Sequence, residues 1–94
     1  MERDINNFLD IEGRIKSWPS KMIKKKEVLH YLSCKFELNR TYTEKEVNDI
    51  ISEWHTFGDL FILRRGMIDM KFLRRTRDGS SYWREEILLP DNQG

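Results

Sequence analysis

The sequence predicts an α+β domain, mainly α, of the winged helix-turn-helix kind: three helices followed by a C-terminal β-hairpin wing. Three observations predict it. Residues 20–36 and 43–54 place apolar side chains at helical spacing. Thr43-Glu44-Lys45-Glu46 is a capping box at the start of the second stretch. Asp78-Gly79 stands between two β-prone runs, which is a hairpin signal. A length of 94 residues fits one domain over 1–94, with 1–19 as an N-terminal arm and 87–94 as a flexible tail.

Taken in order, Ile5 to Leu9 makes one amphipathic turn, and Gly13 to Lys16 alternates weakly. Pro19 biases Trp18 toward extended geometry and leaves Ser20 to cap the first helix. That helix runs to about Phe36, with Ile23, Val28, Leu29, Leu32 and Phe36 on one stripe and the lysines elsewhere. Thr41-Tyr42 is a short extended piece. In the second helix Val47, Ile50, Ile51 and Trp54 recur at i, i+3, i+4 and i+7, and acidic residues sit in the first turn, where the helix dipole favours them. Thr56-Phe57-Gly58 turns the chain, and Asp59 caps a third helix from Leu60 to about Met70. Its core residues are Leu60, Leu63 and Met67, while Ile62, Arg65 and Asp69 point outward.

In the hairpin the expected pairs are Arg77 with Ser80, Arg75 with Tyr82 and Leu73 with Arg84, around a type I′ Asp-Gly turn. Alternation then sets Arg75, Arg77, Tyr82 and Arg84 on an outer cationic face and Phe72 and Trp83 toward the helices.

Charge is segregated although the net is only +1. Residues 20–42 hold six bases against two acids, 43–59 one base against five acids, and 60–84 seven bases against two acids. Two basic blocks therefore flank an acidic one, a pattern that fits a polyanion-binding face. Lysines 21, 24, 25 and 26 oppose the dipole of the helix they open, so nothing local favours them there.

Several classes are excluded. No apolar run approaches the roughly 20 residues of a membrane span. Eleven aromatics argue against a disordered chain. The opening Met1-Glu2-Arg3-Asp4 has no secretory apolar core, and the single Cys34 fits a reducing compartment, so a cytoplasmic location is expected. His30 and Cys34 are i, i+4 with His55 as a conceivable third ligand, but no second cysteine completes a structural zinc site. No glycine-rich phosphate loop and no acid/base pair stand out, so neither catalysis nor a cofactor is expected.

Trp18-Pro19-Ser20-Lys21, Tyr42-Thr43-Glu44-Lys45-Glu46-Val47-Asn48, Trp54-His55-Thr56-Phe57-Gly58-Asp59 and Arg77-Asp78-Gly79-Ser80-Ser81-Tyr82-Trp83-Arg84 carry a resemblance. They resemble a small bacterial domain of unknown function, found alone and as the C-terminal part of some helix-turn-helix transcription regulators. The resemblance spans about Phe8 to Arg84. It implies a bacterial or phage origin and a link to transcription, and it implies no reaction. The chain departs from the pattern at Lys71, where a glycine is expected to close the third helix, and at Gly66 inside that helix.

The expected function is nucleic-acid binding, with duplex DNA as the partner, in bacterial transcription control. Lys24, Lys25, Arg65, Arg75, Arg77 and Arg84 are the expected phosphate contacts, Arg65 also reaching a base. The alternative is a module that forms a homodimer or docks on a regulator protein. Its motive is the polar-poor third helix together with Ile5, Phe8 and Ile11, which read as exposed. A third idea, a small ligand held among Trp18, Trp54 and Trp83, rests on the tryptophan count alone.

Overall fold

The sheet shows how the chain closes on itself. Strand β1 (Thr41–Tyr42) lies between α1 (Met22–Ser33) and α2 (Glu44–Glu53), and it pairs antiparallel with β3 (Tyr82–Arg84). The strand order is β1-β3-β2, with β2 at Leu73–Arg75 following α3 (Leu60–Asp69). A hairpin alone is marginal in water; here β3 is fastened on both sides. This three-helix, three-strand arrangement is a winged-helix-like α+β fold, helices predominating. The computed structural model describes residues 5–86, so the expected tail at 87–94 lies outside the described residues.

The core joins all parts. Val28, Leu29, Leu32 and Phe36 from the α1 segment meet Val47 and Ile51 of α2, Leu63 and Met67 of α3, and Tyr42, Phe72, Leu73 and Tyr82 of the sheet region. The arm contributes as well. A 3-10 turn at Asn6–Phe8 leads into a bridge between Leu9 and Ile15, and Ile15 bridges on to His55. Ile5 and Ile15 are buried and Phe8 packs on the core, so of the three arm residues read as exposed only Ile11 is so.

Helix α1 begins later and ends earlier than its apolar spacing predicts. Its N-cap is Lys21, with no side-chain hydrogen bond, so Ser20 does not cap it. Ile23 is exposed rather than part of the buried stripe, because that stripe starts with Val28 and Leu29. Helix α2 opens as predicted: Thr43 Oγ1 accepts from the Glu46 N–H at 3.1 Å, and the Glu46 carboxylate accepts from the Thr43 N–H at 2.9 Å. Asp59 caps α3 by accepting from the Ile62 N–H at 3.2 Å.

Lys71 and Gly66, the two departures from the expected pattern, each have a local explanation. The Phe72 N–H reaches the Met67 carbonyl at 2.9 Å and the Lys71 N–H reaches the Ile68 carbonyl at 3.0 Å. That is a Schellman closure, which needs a left-handed residue at Lys71, and its φ is 67°. A glycine would adopt this backbone without the side-chain penalty. Phe72 and Met67, the pair such a closure brings together, are both buried. Gly66 lets α1 approach: a Cβ there would stand 2.8 Å from Leu29 Cδ1.

The hairpin register is as predicted, Leu73 opposite Arg84 and Arg75 opposite Tyr82, and Phe72 is buried as expected, but Tyr82 and Trp83 exchange faces. Tyr82 and Leu73 turn into the core, while Trp83 is only half-buried and shares the other face with the exposed Arg74. The turn is not type I′ either. Gly79 donates to the Thr76 carbonyl at 3.0 Å, and of the central residues only Gly79 has a positive φ, 75°. Arg77-Asp78 therefore form an ordinary turn followed by a left-handed glycine, and Arg77 and Ser80 lie in the loop.

Candidate nucleic-acid interface

Helix α3 and the β2–β3 wing border one open groove of ≈ 580 Å³, lined by Glu44, Phe61, Arg64, Arg65, Ile68, Asp69, Arg75 and Tyr82. Each arginine there stands in a different state. Arg64, its side chain only 19% exposed, donates to Asn48 Oδ1 at 2.6 Å and lies 3.3 Å from Glu44 Oε2. Its guanidinium also covers the Phe61 ring, 5.0 Å from the centroid. Arg65, 81% exposed, pairs with Asp69 at 3.7 Å one helical turn on. Such a solvated pair is worth a few tenths of a kcal/mol, so Arg65 exchanges partners readily. Arg75 holds no ion pair among the described residues, and neither do Arg74 and Arg77.

The wing tip keeps its arginines available because its one carboxylate is used internally. Asp78 Oδ1 accepts from the Thr76 hydroxyl at 2.8 Å, the Ser80 hydroxyl at 2.9 Å and the Ser80 N–H at 3.1 Å. The Thr76 bond first, and then those from Ser80, hold the Asp78 carboxyl below its ordinary value of 3.8. Thr76 Oγ1 in turn accepts from the Ser80 and Ser81 N–H groups at 3.1 and 3.2 Å.

The six residues singled out by charge divide. Arg65 and Arg75 line the groove, and Arg77 is exposed in the wing turn. Arg84 leaves the outer face: it donates to the Phe36 carbonyl at 3.1 Å and sits 3.6 Å from Cys34 Sγ, joining β3 to the end of the α1 segment. Lys24 pairs with Glu27 at 3.3 Å, and Lys25 lies over the Trp18 ring at 5.6 Å. Neither lysine lines the α3–wing groove, so the two basic blocks do not share it.

Three residues escaped the charge argument. Arg64 takes its fixed pose from Glu44 and Asn48 on α2. Arg74 faces outward, on the side that Trp83 shares. Phe61, and not Ile62, is the exposed apolar residue of α3, at 64%. The helical phase of Leu63 and Met67, both buried, already contains that signal: Phe61 is two residues before Leu63, on the far side of the helix.

The other constellations disperse. Trp18 lies under Lys25, Trp54 under Lys35 at 4.0 Å, and Trp83 lines a separate hollow with Arg84 and Leu38. His30 is buried against Phe72, ring centroids 5.4 Å apart, and His55 against Phe57 at 5.0 Å. Among the described residues no group of three or more His, Cys, Asp or Glu side chains is placed to hold a metal ion. Among them, too, no helix is long and apolar enough to cross a membrane.

Fold and groove together define a winged-helix-like domain with an arginine-lined face between its third helix and its wing. The chain belongs to a bacterial family described as uncharacterized conserved proteins, DUF2087, whose model matches residues 14–84. No curated protein and no solved structure matches it.

Proposed function

We propose that this domain binds duplex DNA, through the α3 face and the wing, in bacterial transcription control. The observation that carries the reading is the convergence of Arg64, Arg65 and Arg75 on one open groove, with Arg74 and Arg77 exposed on the adjoining wing and without an ion pair among the described residues. The major groove of B-DNA is about 12 Å wide and admits a helix. A wing beside that helix meets the phosphate backbone, where arginines position the protein without reading sequence. Arg65, Arg74, Arg75 and Arg77 are the phosphate contacts in this reading. Arg84 serves the fold instead. The likeness of the sequence to the C-terminal part of helix-turn-helix regulators supports the transcription setting.

Affinity for a mixed-sequence duplex, measured by fluorescence anisotropy across salt concentrations, tests the proposal. Four neutralised phosphates give a log–log slope of about −3.6. A slope near zero, or no binding at low salt, overturns it.

A second reading is a protein-interaction or dimerisation module with no catalysis. It is favoured by Ile11, which is fully exposed on a turn held by Asp10, and by the ≈ 610 Å³ hollow among Met22, Ile23, Lys26 and Met70. Sedimentation separates the two: a strict monomer that captures no protein counts against this one.

A further inference from the structure

We infer that Phe61 is a specificity-determining residue of this interface, and that it selects duplex DNA bearing 5-methyl groups on the major-groove edge of its pyrimidines. The inference rests on the duplex-DNA reading above and names what that site prefers. Helix α3 has almost nothing with which to read base hydrogen bonds. Residues 60–69 contain no Asn, Gln, Ser, Thr or Lys. Arg64 is committed to Asn48 and Glu44, and Arg65 is taken up as a phosphate contact in that reading. What α3 does offer is an aromatic ring, 64% exposed in its first turn, the end of a recognition helix that approaches base edges.

Isolated exposed hydrophobic residues are ordinary. Phe61 differs in being braced. Arg64 covers the ring at 5.0 Å, and Arg64 is itself held by two residues of α2, so the ring is positioned before any partner arrives. Its neighbours also point to a polyanion. Arg65 and Arg75 line the same groove, and its two carboxylates, Glu44 and Asp69, each already face an arginine. The apolar group that unmodified bases present in the major groove is the thymine 5-methyl. Seating it against Phe61 removes a methyl-sized apolar area from water, which is worth about fourfold in affinity.

The test compares alternating A·T duplexes with the same duplexes in which deoxyuridine replaces thymidine, at one fixed salt concentration. Thymine duplexes are expected to bind about fourfold tighter, and 5-methylcytosine duplexes tighter than cytosine duplexes by a similar factor. Phe61→Ala is expected to abolish both differences while leaving the salt slope unchanged, since the side chain carries no charge, and to lower Tm by only a few degrees through the lost contact with Arg64. Equal affinity of the unmodified protein for thymine and uracil duplexes overturns the inference and leaves the DNA reading standing. So does a Phe61→Ala protein that keeps the ratio. Absence of binding to every duplex overturns both.

Discussion

The first turn of α1 and the wing are both dense in positive charge, yet the structure treats them differently. At α1, Lys25 lies over Trp18 and Lys24 pairs with Glu27, and farther along Lys35 covers Tyr31 at 4.6 Å and Trp54 at 4.0 Å. Their ammonium groups are spent on aromatic faces and a neighbouring carboxylate, where each contact contributes roughly 0.5–1 kcal/mol. In the wing, Asp78 is absorbed by Thr76 and Ser80, and Arg74, Arg75 and Arg77 hold no ion pair among the described residues. Counting charges along a chain measures neither availability nor aim. Local partners decide both.

The sharpest break of that comparison is a pair of triple variants. Arg74, Arg75 and Arg77→Ala together should weaken duplex binding about a hundredfold at 0.1 M salt and flatten the salt slope by two to three units, given roughly one unit per phosphate contact. Lys24, Lys25 and Lys26→Ala should change affinity less than about threefold. Equal losses in both variants would return the α1 lysines to the interface.

Helix starts sharpen the same contrast. Thr43→Ala removes the side-chain half of the α2 capping box, the bond from the Glu46 N–H, and should cost about 1 kcal/mol in urea unfolding. Lys21→Asp supplies α1 with the cap it lacks, at a residue whose extended backbone (φ −85°, ψ 137°) suits one. It should stabilise by about 0.5–1 kcal/mol. At the α3 exit, Lys71→Gly should stabilise by about 1 kcal/mol, because only there does a long side chain sit on a left-handed backbone next to the wing.

Acid gives the smallest effect. Asp78 has a depressed pKa when folded, so its contribution to the turn is complete above 3.8 and is lost as pH falls below that value. Faster hydrogen exchange of the Ser80 amide in acid, with the α1 amides unaffected once intrinsic exchange is subtracted, is the expected result.

What the sequence made legible was local or strictly periodic. The capping box at Thr43, the Asp59 cap, the α2 stripe and the hairpin register all follow from contacts within a few residues. The hairpin faces did not follow, because each face carries large apolar groups. Leu73 and Tyr82 win over Trp83 through the pairing of β3 with β1, some 40 residues away in sequence. Ile23 was misplaced for a related reason: it has helical spacing, but no element of the fold covers it. At the candidate site, Arg65 and Arg75 could be picked out by charge and Phe61 by helical phase, whereas the pose of Arg64 depends on Asn48 and Glu44 of another helix. The glycine that the resemblance leads one to expect at 71 fits the geometry, since the backbone there is left-handed even with lysine in place.

Amide shift mapping with a mixed-sequence duplex tests the central claim most directly. Perturbations concentrated in α3 and the wing, residues 61–69 and 74–82, with 21–26 unmoved, are what the account predicts. A response centred on residues 21–26, with the wing silent, would contradict it.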